Sequence, residues 1–133
     1  LVIFENNLSF EIADLKKYKF NKIVLINNPN KFRQIKLSDK VIKFKTDLLN
    51  DQLERIRTLS IDCEILTIDK LKDIKDDYYI LYPSVGENLD YILSELSDYK
   101  FLYRELDQFS WGFCNKGFFN FKGYIPKIIT KFI

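Results

Sequence analysis

Short polar residues occur where several apolar runs of the sequence end and the chain turns. They comprise amides, a hydroxyl, a glycine and a carboxylate, at Asn6, Asn7, Asn27, Ser84, Gly86 and Glu87. If those runs are parallel strands, a ligand would bind beyond their carboxyl ends, where such groups can hydrogen-bond a nucleotide or a flavin-like ring. We therefore predict a cofactor-binding site there. The alternative is that Asn, Ser and Gly are simply what turns are made of.

Other kinds of site find little support in the sequence. There is no histidine, and four glycines form neither GxGxxG nor GxxxxGK[ST]. With Cys63 and Cys114 far apart, a zinc site would need unusual carboxylate ligands, so no metal is expected. Carboxylate pairs such as Glu5 and Asp69 cannot be placed in contact from the sequence. We predict no catalytic residue, and we expect a binding module more than an enzyme acting on its own.

The C-terminal segment is both aromatic and basic. Between Gln108 and Ile133 there are four lysines and no acid. This segment could stack bases or dock another protein through Trp111, Lys116, Phe119, Lys122 and Lys127. The better single interpretation is a second layer of core beneath a small sheet. One alternative function follows from this segment, a nucleic-acid-binding or replication-associated module. A second alternative, a small nucleotide-handling enzyme or transferase fragment, would depend instead on a strand-end carboxylate.

The totals indicate one folded domain over residues 1–133, either complete or part of a longer protein. Of the 133 residues, 47% are apolar and 30% charged, which is typical of a soluble globular chain. No run approaches the roughly 20 apolar residues that span a bilayer. We read both cysteines as reduced thiols, with Cys63 in a core strand and Cys114 half-buried among aromatic rings. A cytoplasmic protein without a membrane partner is the prediction.

Strands and helices alternate along the sequence. Short apolar runs predict strands over residues 1–4, 22–26, 61–68, 78–82 and 100–103. The β-branched run KIVLI at 22–26 indicates burial on both faces, as in a parallel sheet. The fold predicted is a single three-layer Rossmann-like α/β domain with a mostly parallel five-stranded sheet.

The helical segments are less uniform. Ser9 is a candidate helix cap, residues 87–96 predict a helix with Leu89, Ile92, Leu93 and Leu96 inward, and 125–133 predicts a terminal helix. Residues 38–59 favour one long helix. The alternative is an edge strand over 40–45, followed by a shorter helix that Thr46 caps.

Four stretches together carry a family resemblance over nearly the whole chain. They are LVIFENNLS at the start, KFRQIK with KVIKF, the turn Tyr82-Pro83-Ser84 with Glu87, and an ending that contains Phe101-Leu102, Phe109 and Phe118-Phe119. Their order resembles the N-terminal α/β domain of the photolyase/cryptochrome family, especially its photolyase-related branch. That branch has a His beside a Lys where this chain has Ser38 and Asp39.

The resemblance implies a Rossmann-like sheet and, as in some family members, a flavin- or folate-like antenna pigment. In that family, a large helical domain that follows carries the flavin and the DNA-repair chemistry. The leading prediction is therefore a non-catalytic module that binds a nucleotide-like cofactor or a partner. The partner would be another protein or a C-terminal helical domain, with nucleic acid as the alternative.

Overall fold

The computed structural model describes residues 1–8 and 12–132, and for residues 12–14 it describes only the backbone. Ser9, the predicted helix cap, lies outside the described residues. The chain forms two compact units, residues 1–102 and 103–133. The single domain over the whole chain stays a prediction.

The first unit is built on a five-stranded sheet in which every pair of neighbouring strands is parallel. Its strands are β1 (Val2–Phe4), β2 (Lys22–Asn27), β3 (Asp62–Thr67), β4 (Tyr78–Leu81) and β5 (Tyr99–Leu102). They lie in the order β3-β2-β1-β4-β5, with β1 in the centre. The predicted Rossmann-like α/β fold with a parallel sheet is confirmed.

Three helices connect these strands: α1 (Ile12–Lys17), α2 (Asp39–Arg57) and α3 (Glu87–Glu95). The link from β3 to β4 is a 3-10 segment, Ile68–Asp73. The single long helix favoured for residues 38–59 is confirmed, so residues 40–45 are not a strand. Thr46 does not cap a shorter helix, because its hydroxyl donates to the Ile42 carbonyl at 3.0 Å within α2.

Helices cover both faces of the sheet, because successive residues of β1 and β2 are apolar and point to opposite sides. Ile3 packs with Leu15 of α1 and with Leu49 of α2. Phe4, the next residue of β1, packs on the other face with Ile92 of α3. Residues 23–26 of β2 are all buried, as the KIVLI run predicts.

The inward face of α3 differs from the prediction. Ile92 is buried as expected, but Leu93 is 61% exposed, and its predicted burial is wrong. Asn88 and Tyr91 are buried instead. Asn88 can lie inside because its side chain finds hydrogen-bond partners at the edge of the sheet, a gain that apolar periodicity does not register.

The second unit contains α4 (Glu105–Trp111), a 3-10 turn (Cys114–Lys116), α5 (Phe118–Lys122) and α6 (Ile125–Phe132). Phe113 stacks on Tyr124 with ring centroids 4.4 Å apart.

Cys114 is exposed, so its predicted half-burial among the aromatic rings is wrong. It lies on the 3-10 turn and bonds the Ser110 carbonyl at 3.3 Å, while the neighbouring rings pack on one another. Cys63 is buried in β3, as predicted. In residues 1–8 and 12–132, no helix has the length and apolar character to cross a bilayer.

Candidate functional site

The sheet has a topological switch point between β1 and β4. From β1 the chain winds outward through β2 to β3, then returns to the other side of β1 to add β4 and β5. The segments that leave β1 and β4 therefore pass to opposite faces of the sheet and open a crevice beyond the strand ends. Doubly wound folds bind their ligands at this position.

A cavity of about 210 Å³ lies in this crevice. It is lined by Asn6, Arg33, Lys45, the loop 83–86, Glu87 and Asn88. Within the loop, Ser84 (φ 68°) and Gly86 (φ 139°) have left-handed backbone. For Ser84 this conformation costs about 1 kcal/mol or more, and such strain is concentrated at functional loops.

A completely enclosed carboxylate adjoins the cavity. The Glu5 side chain is 0% exposed, with Oε1 2.9 Å from Arg33 Nη2 and 3.3 Å from Lys45 Nζ. Its other oxygen, Oε2, is buried without a hydrogen-bond partner among the residues that the structure describes. Buried ion pairs can often be replaced by apolar residues without loss of stability, so this arrangement is weak evidence for a stabilising role.

Arg33 joins three parts of the crevice. Its Nε donates to the Asn28 carbonyl at 3.1 Å, beyond the end of β2. Its two terminal nitrogens bond Glu5 at 2.9 Å and Glu87, the first residue of α3, at 3.1 Å. The other Glu87 oxygen accepts the Gln34 backbone N–H at 3.0 Å. One guanidinium thus fixes the loop after β2 against β1 and α3.

A chain of amides continues this network. Asn28 donates to Asn88 at 2.9 Å, and Asn88 donates to Asn6 at 3.3 Å. Asn6 donates to the Pro83 carbonyl at 2.9 Å, and Asn7 donates to the Tyr82 carbonyl at 2.8 Å. Asn6 and Asn7, the second and third residues after β1, therefore hold the loop that leaves β4.

The N-terminus of α3 opens at the same cavity. The helix begins after Gly86, which has no side chain to cap the first N–H groups. Its first residues, Glu87 and Asn88, line the cavity. The helix dipole favours negative charge there, while Glu5 and Glu87 offset the charges of Arg33 and Lys45, both of which pair with Glu5. The geometry suits an anion held by oriented donors.

The predicted cofactor-binding residues are partly brought together. Asn6, Ser84, Gly86 and Glu87 all line the cavity. Asn7 is buried, and its side-chain amide donates to the Tyr82 carbonyl at the start of the loop after β4. Asn27 ends β2 and is not among the residues that line the cavity.

Sequence reasoning assigned no site role to Arg33, Lys45 or Asn88, and no local sequence pattern distinguishes these three residues. Arg33 reaches Glu5 and Glu87 across 28 and 54 residues of sequence, respectively.

The predicted contact residues of the C-terminal segment, Trp111, Lys116, Phe119, Lys122 and Lys127, all lie in the second unit. Their side chains are exposed, with Phe119 at 90%. The Lys127 ammonium lies 5.3 Å from the Phe113 ring centroid. They form no part of the crevice described above.

Asp69 is separate from Glu5 and pairs with Lys31 at 2.9 Å. The Thr67 hydroxyl bond, followed by the Lys31 contact, lowers the pKa of Asp69 to about 2. Within the described residues, no cluster of three or more His, Cys, Asp or Glu side chains could hold a metal ion.

We expect Thr67→Val to raise the pKa of Asp69 more than Lys31→Met does. Because the folded pKa lies below the unfolded value of about 3.9, Asp69 contributes stability above pH 4 that is lost as the pH falls to about 2. A carboxyl-detected NMR titration measures the shift, with Lys40→Met as a charge-matched control. An Asp69 pKa unchanged in both Thr67→Val and Lys31→Met would contradict the assignment of its partners.

Comparison of the chain with protein-family models, with characterised proteins and with solved structures finds no match. The resemblance to the photolyase/cryptochrome family therefore stays a prediction.

Proposed function

We propose that this chain is a binding module that holds the phosphate of a nucleotide-like ligand in the crevice beyond β1 and β4. The observation that carries the proposal is that the cavity lies at the topological switch point and is lined by Arg33, Lys45 and the start of α3. Doubly wound sheets in general bind their ligands beyond the strand ends at the switch point, so the fold supports the position of the ligand. The kind of ligand is inferred from the chemistry of the residues that line the cavity.

The ligand chemistry follows from the donors around the cavity. Lys45 contributes an ammonium, Asn6 and Asn88 contribute amides, and the uncapped N-terminus of α3 contributes backbone N–H groups. Backbone N–H groups at a helix N-terminus together with a cation bind phosphate groups in many proteins. A phosphate monoester would fit this set better than a neutral group would.

The network supports binding in preference to catalysis. Both crevice carboxylates are engaged by Arg33, and Glu87 also accepts the Gln34 N–H. A general base instead needs a carboxylate that is open to the substrate proton. The pairs hold the binding loops in place, which lowers the cost of ordering them when ligand arrives.

Two of the stretches that carry the photolyase resemblance contribute residues to this cavity, namely Asn6 from the first and Pro83, Ser84 and Glu87 from the third. The antenna pigments of that family, flavin- or folate-like, are candidates for the ligand of this module. On this proposal the module has no repair activity of its own, and its partner is a protein or a following helical domain.

The test is calorimetric titration of the purified chain with a panel of nucleotides, flavin mononucleotide and a reduced folate. Lys45→Gln should weaken the binding of a phosphate-bearing hit about tenfold, the usual scale for one charge-assisted hydrogen bond. Lys43→Gln is the matched control. It removes the same charge from α2, where Lys43 is exposed and paired with Asp47.

Two results would contradict the proposal. One is that no phosphate-bearing compound binds. The other is equal weakening by Lys43→Gln and Lys45→Gln, which would indicate a general charge effect in place of a site.

A second candidate function is favoured by the exposed aromatic and basic side chains of the second unit. Phe118 and Phe119 are 66% and 90% exposed. The sequence from Gln108 to Phe132 contains four lysines and no acidic residue. Single-stranded nucleic acid binds to such surfaces by stacking and salt-sensitive phosphate contacts. Oligonucleotides belong in the same panel. Binding that is lost on raising the salt and in Lys122→Glu, but not in Lys45→Gln, would move the function to this unit.

A further inference from the structure

Phe32 presents an aromatic surface beside the crevice. Its side chain is 40% exposed although it is large and apolar. Its ring packs on Tyr91 with centroids 4.7 Å apart, and Tyr91 itself is only 4% exposed. The ring is therefore supported on one side by the core and is partly exposed, with the Lys31 ammonium 5.8 Å from its centroid.

The loop that carries Phe32 is held by a dense set of hydrogen bonds. The Asn30 amide donates to the Leu37 carbonyl at 3.2 Å and accepts the Leu37 N–H at 2.7 Å. Next to Phe32, Arg33 is fixed by Asn28, Glu5 and Glu87. A ring on such a loop can stack on a ligand with little ordering cost.

Phe32 is one of the residues that line a second cavity, of about 370 Å³. This cavity is also lined by Gln34, Asp90, Tyr91 and Ser94, and it shares Glu87 with the first cavity. The first cavity, at about 210 Å³, is smaller than the roughly 300–1,000 Å³ usual for a ligand pocket. It has room for a phosphate group, while the remainder of a nucleotide needs a second subsite next to it.

The second cavity is rich in hydrogen-bond acceptors. Asp90 and Glu95 are carboxylates on its rim, and Glu95 is already paired with Lys72. The Tyr91 hydroxyl is buried and has no hydrogen-bond partner in the part of the chain that the structure describes. A ring that enters this cavity would have the Asp90 carboxylate as an acceptor and the Phe32 ring as an aromatic neighbour.

We infer that the second cavity binds the base of a purine nucleotide, stacked on Phe32 with its amino edge facing Asp90. The inference rests on the proposed function, which supplies the phosphate position. Guanine fits best, because its adjacent N1–H and N2 amino groups form a donor pair that matches the two oxygens of one carboxylate.

The experiment compares three ligands by calorimetry at fixed salt: GMP, IMP, which lacks the N2 amino group, and ribose 5-phosphate, which lacks the base. GMP should bind at least tenfold more tightly than ribose 5-phosphate, the scale of one base–aromatic stack. Phe32→Ala should remove most of that difference, and Phe32→Tyr, which keeps the ring, should retain it. GMP should bind about tenfold more tightly than IMP, and Asp90→Asn should abolish this preference. Circular dichroism of each variant checks that it is folded.

The outcomes separate the base site from the phosphate site. If Phe32→Ala leaves the GMP affinity unchanged while Lys45→Gln weakens it, the base lies elsewhere. That result overturns the inference and leaves the proposed function intact. Equal affinity for GMP and ribose 5-phosphate would likewise overturn the inference and leave the proposed function intact. If neither compound binds the wild-type chain, the inference falls, and the proposed function falls with it when no other phosphate-bearing compound of the panel binds.

Discussion

Replacing Arg33 with methionine is expected to lower the free energy of unfolding by about 3 kcal/mol, because it leaves a buried carboxylate with one weaker partner. Glu5 is wholly enclosed, and its closest cation is Arg33 at 2.9 Å. Lys45 remains 3.3 Å away and compensates only in part. Glu87 and the Asn28 carbonyl lose a donor in the same step. Urea unfolding followed by circular dichroism measures the effect.

Two further variants show whether the buried charge is the cause. Glu5→Gln with Arg33→Met should be more stable than Arg33→Met alone, since it removes the charge that has lost its partner. Arg57→Met is the matched control. Arg57 pairs with Glu54 on the exposed face of α2, and such pairs contribute about 0–1 kcal/mol. If Arg33→Met and Arg57→Met cost the same, Glu5 is not an enclosed ion in solution.

Phe4→Ala is expected to cost about 4 kcal/mol, within the range for removing a buried aromatic ring. Phe4 is 0% exposed and lies on the central strand, where it packs with Ile80 and Ile92. Phe44→Ala is the matched control, because Phe44 is 62% exposed on α2 and alanine is a good helix former. Urea midpoints of both variants provide the comparison.

The two phenylalanines also test the position of the core. A change of less than 1 kcal/mol is expected for Phe44→Ala. Costs of similar size at the two positions would contradict the assignment of β1 as the buried centre of the sheet. A destabilised Phe4→Ala chain should also bind ligand less tightly, since Glu5 and Asn6 directly follow Phe4.

The fold was predictable because its signals are local and redundant. The KIVLI run at residues 22–26 places apolar side chains on both faces of a strand, which favours a position between two apolar layers. Residues 23–26 of β2 are buried accordingly. The helical spacing of Leu49, Leu53 and Ile56 outweighs the strand-like alternation at 40–45, since the face that it defines packs on the sheet. Alternation of strands and helices then fixes parallel pairing.

The candidate site was predictable only in part, because its chemistry depends on long-range contacts. Residues directly after β1 and β4 were found, since strand ends are visible in the sequence. Asn27 and Asn28 both stand at the end of β2 in the sequence, but Asn28 makes the contacts, because a shift of one residue reverses the direction of a side chain on an extended chain. Leu93 was placed inside α3 on hydrophobicity, whereas the side chains turned inward are those of Asn88, Tyr91 and Ile92. Asn88 has its partners 60 and 82 residues away.

The most direct test of the binding crevice is a two-dimensional amide NMR titration of the chain with GMP. The largest shift changes should occur at the backbone amides of Gly86, Glu87 and Asn88 and at the side-chain amide of Asn6, which line the cavity. Changes confined to residues 103–132, or no change at millimolar GMP, would contradict a GMP site at the β1/β4 switch point.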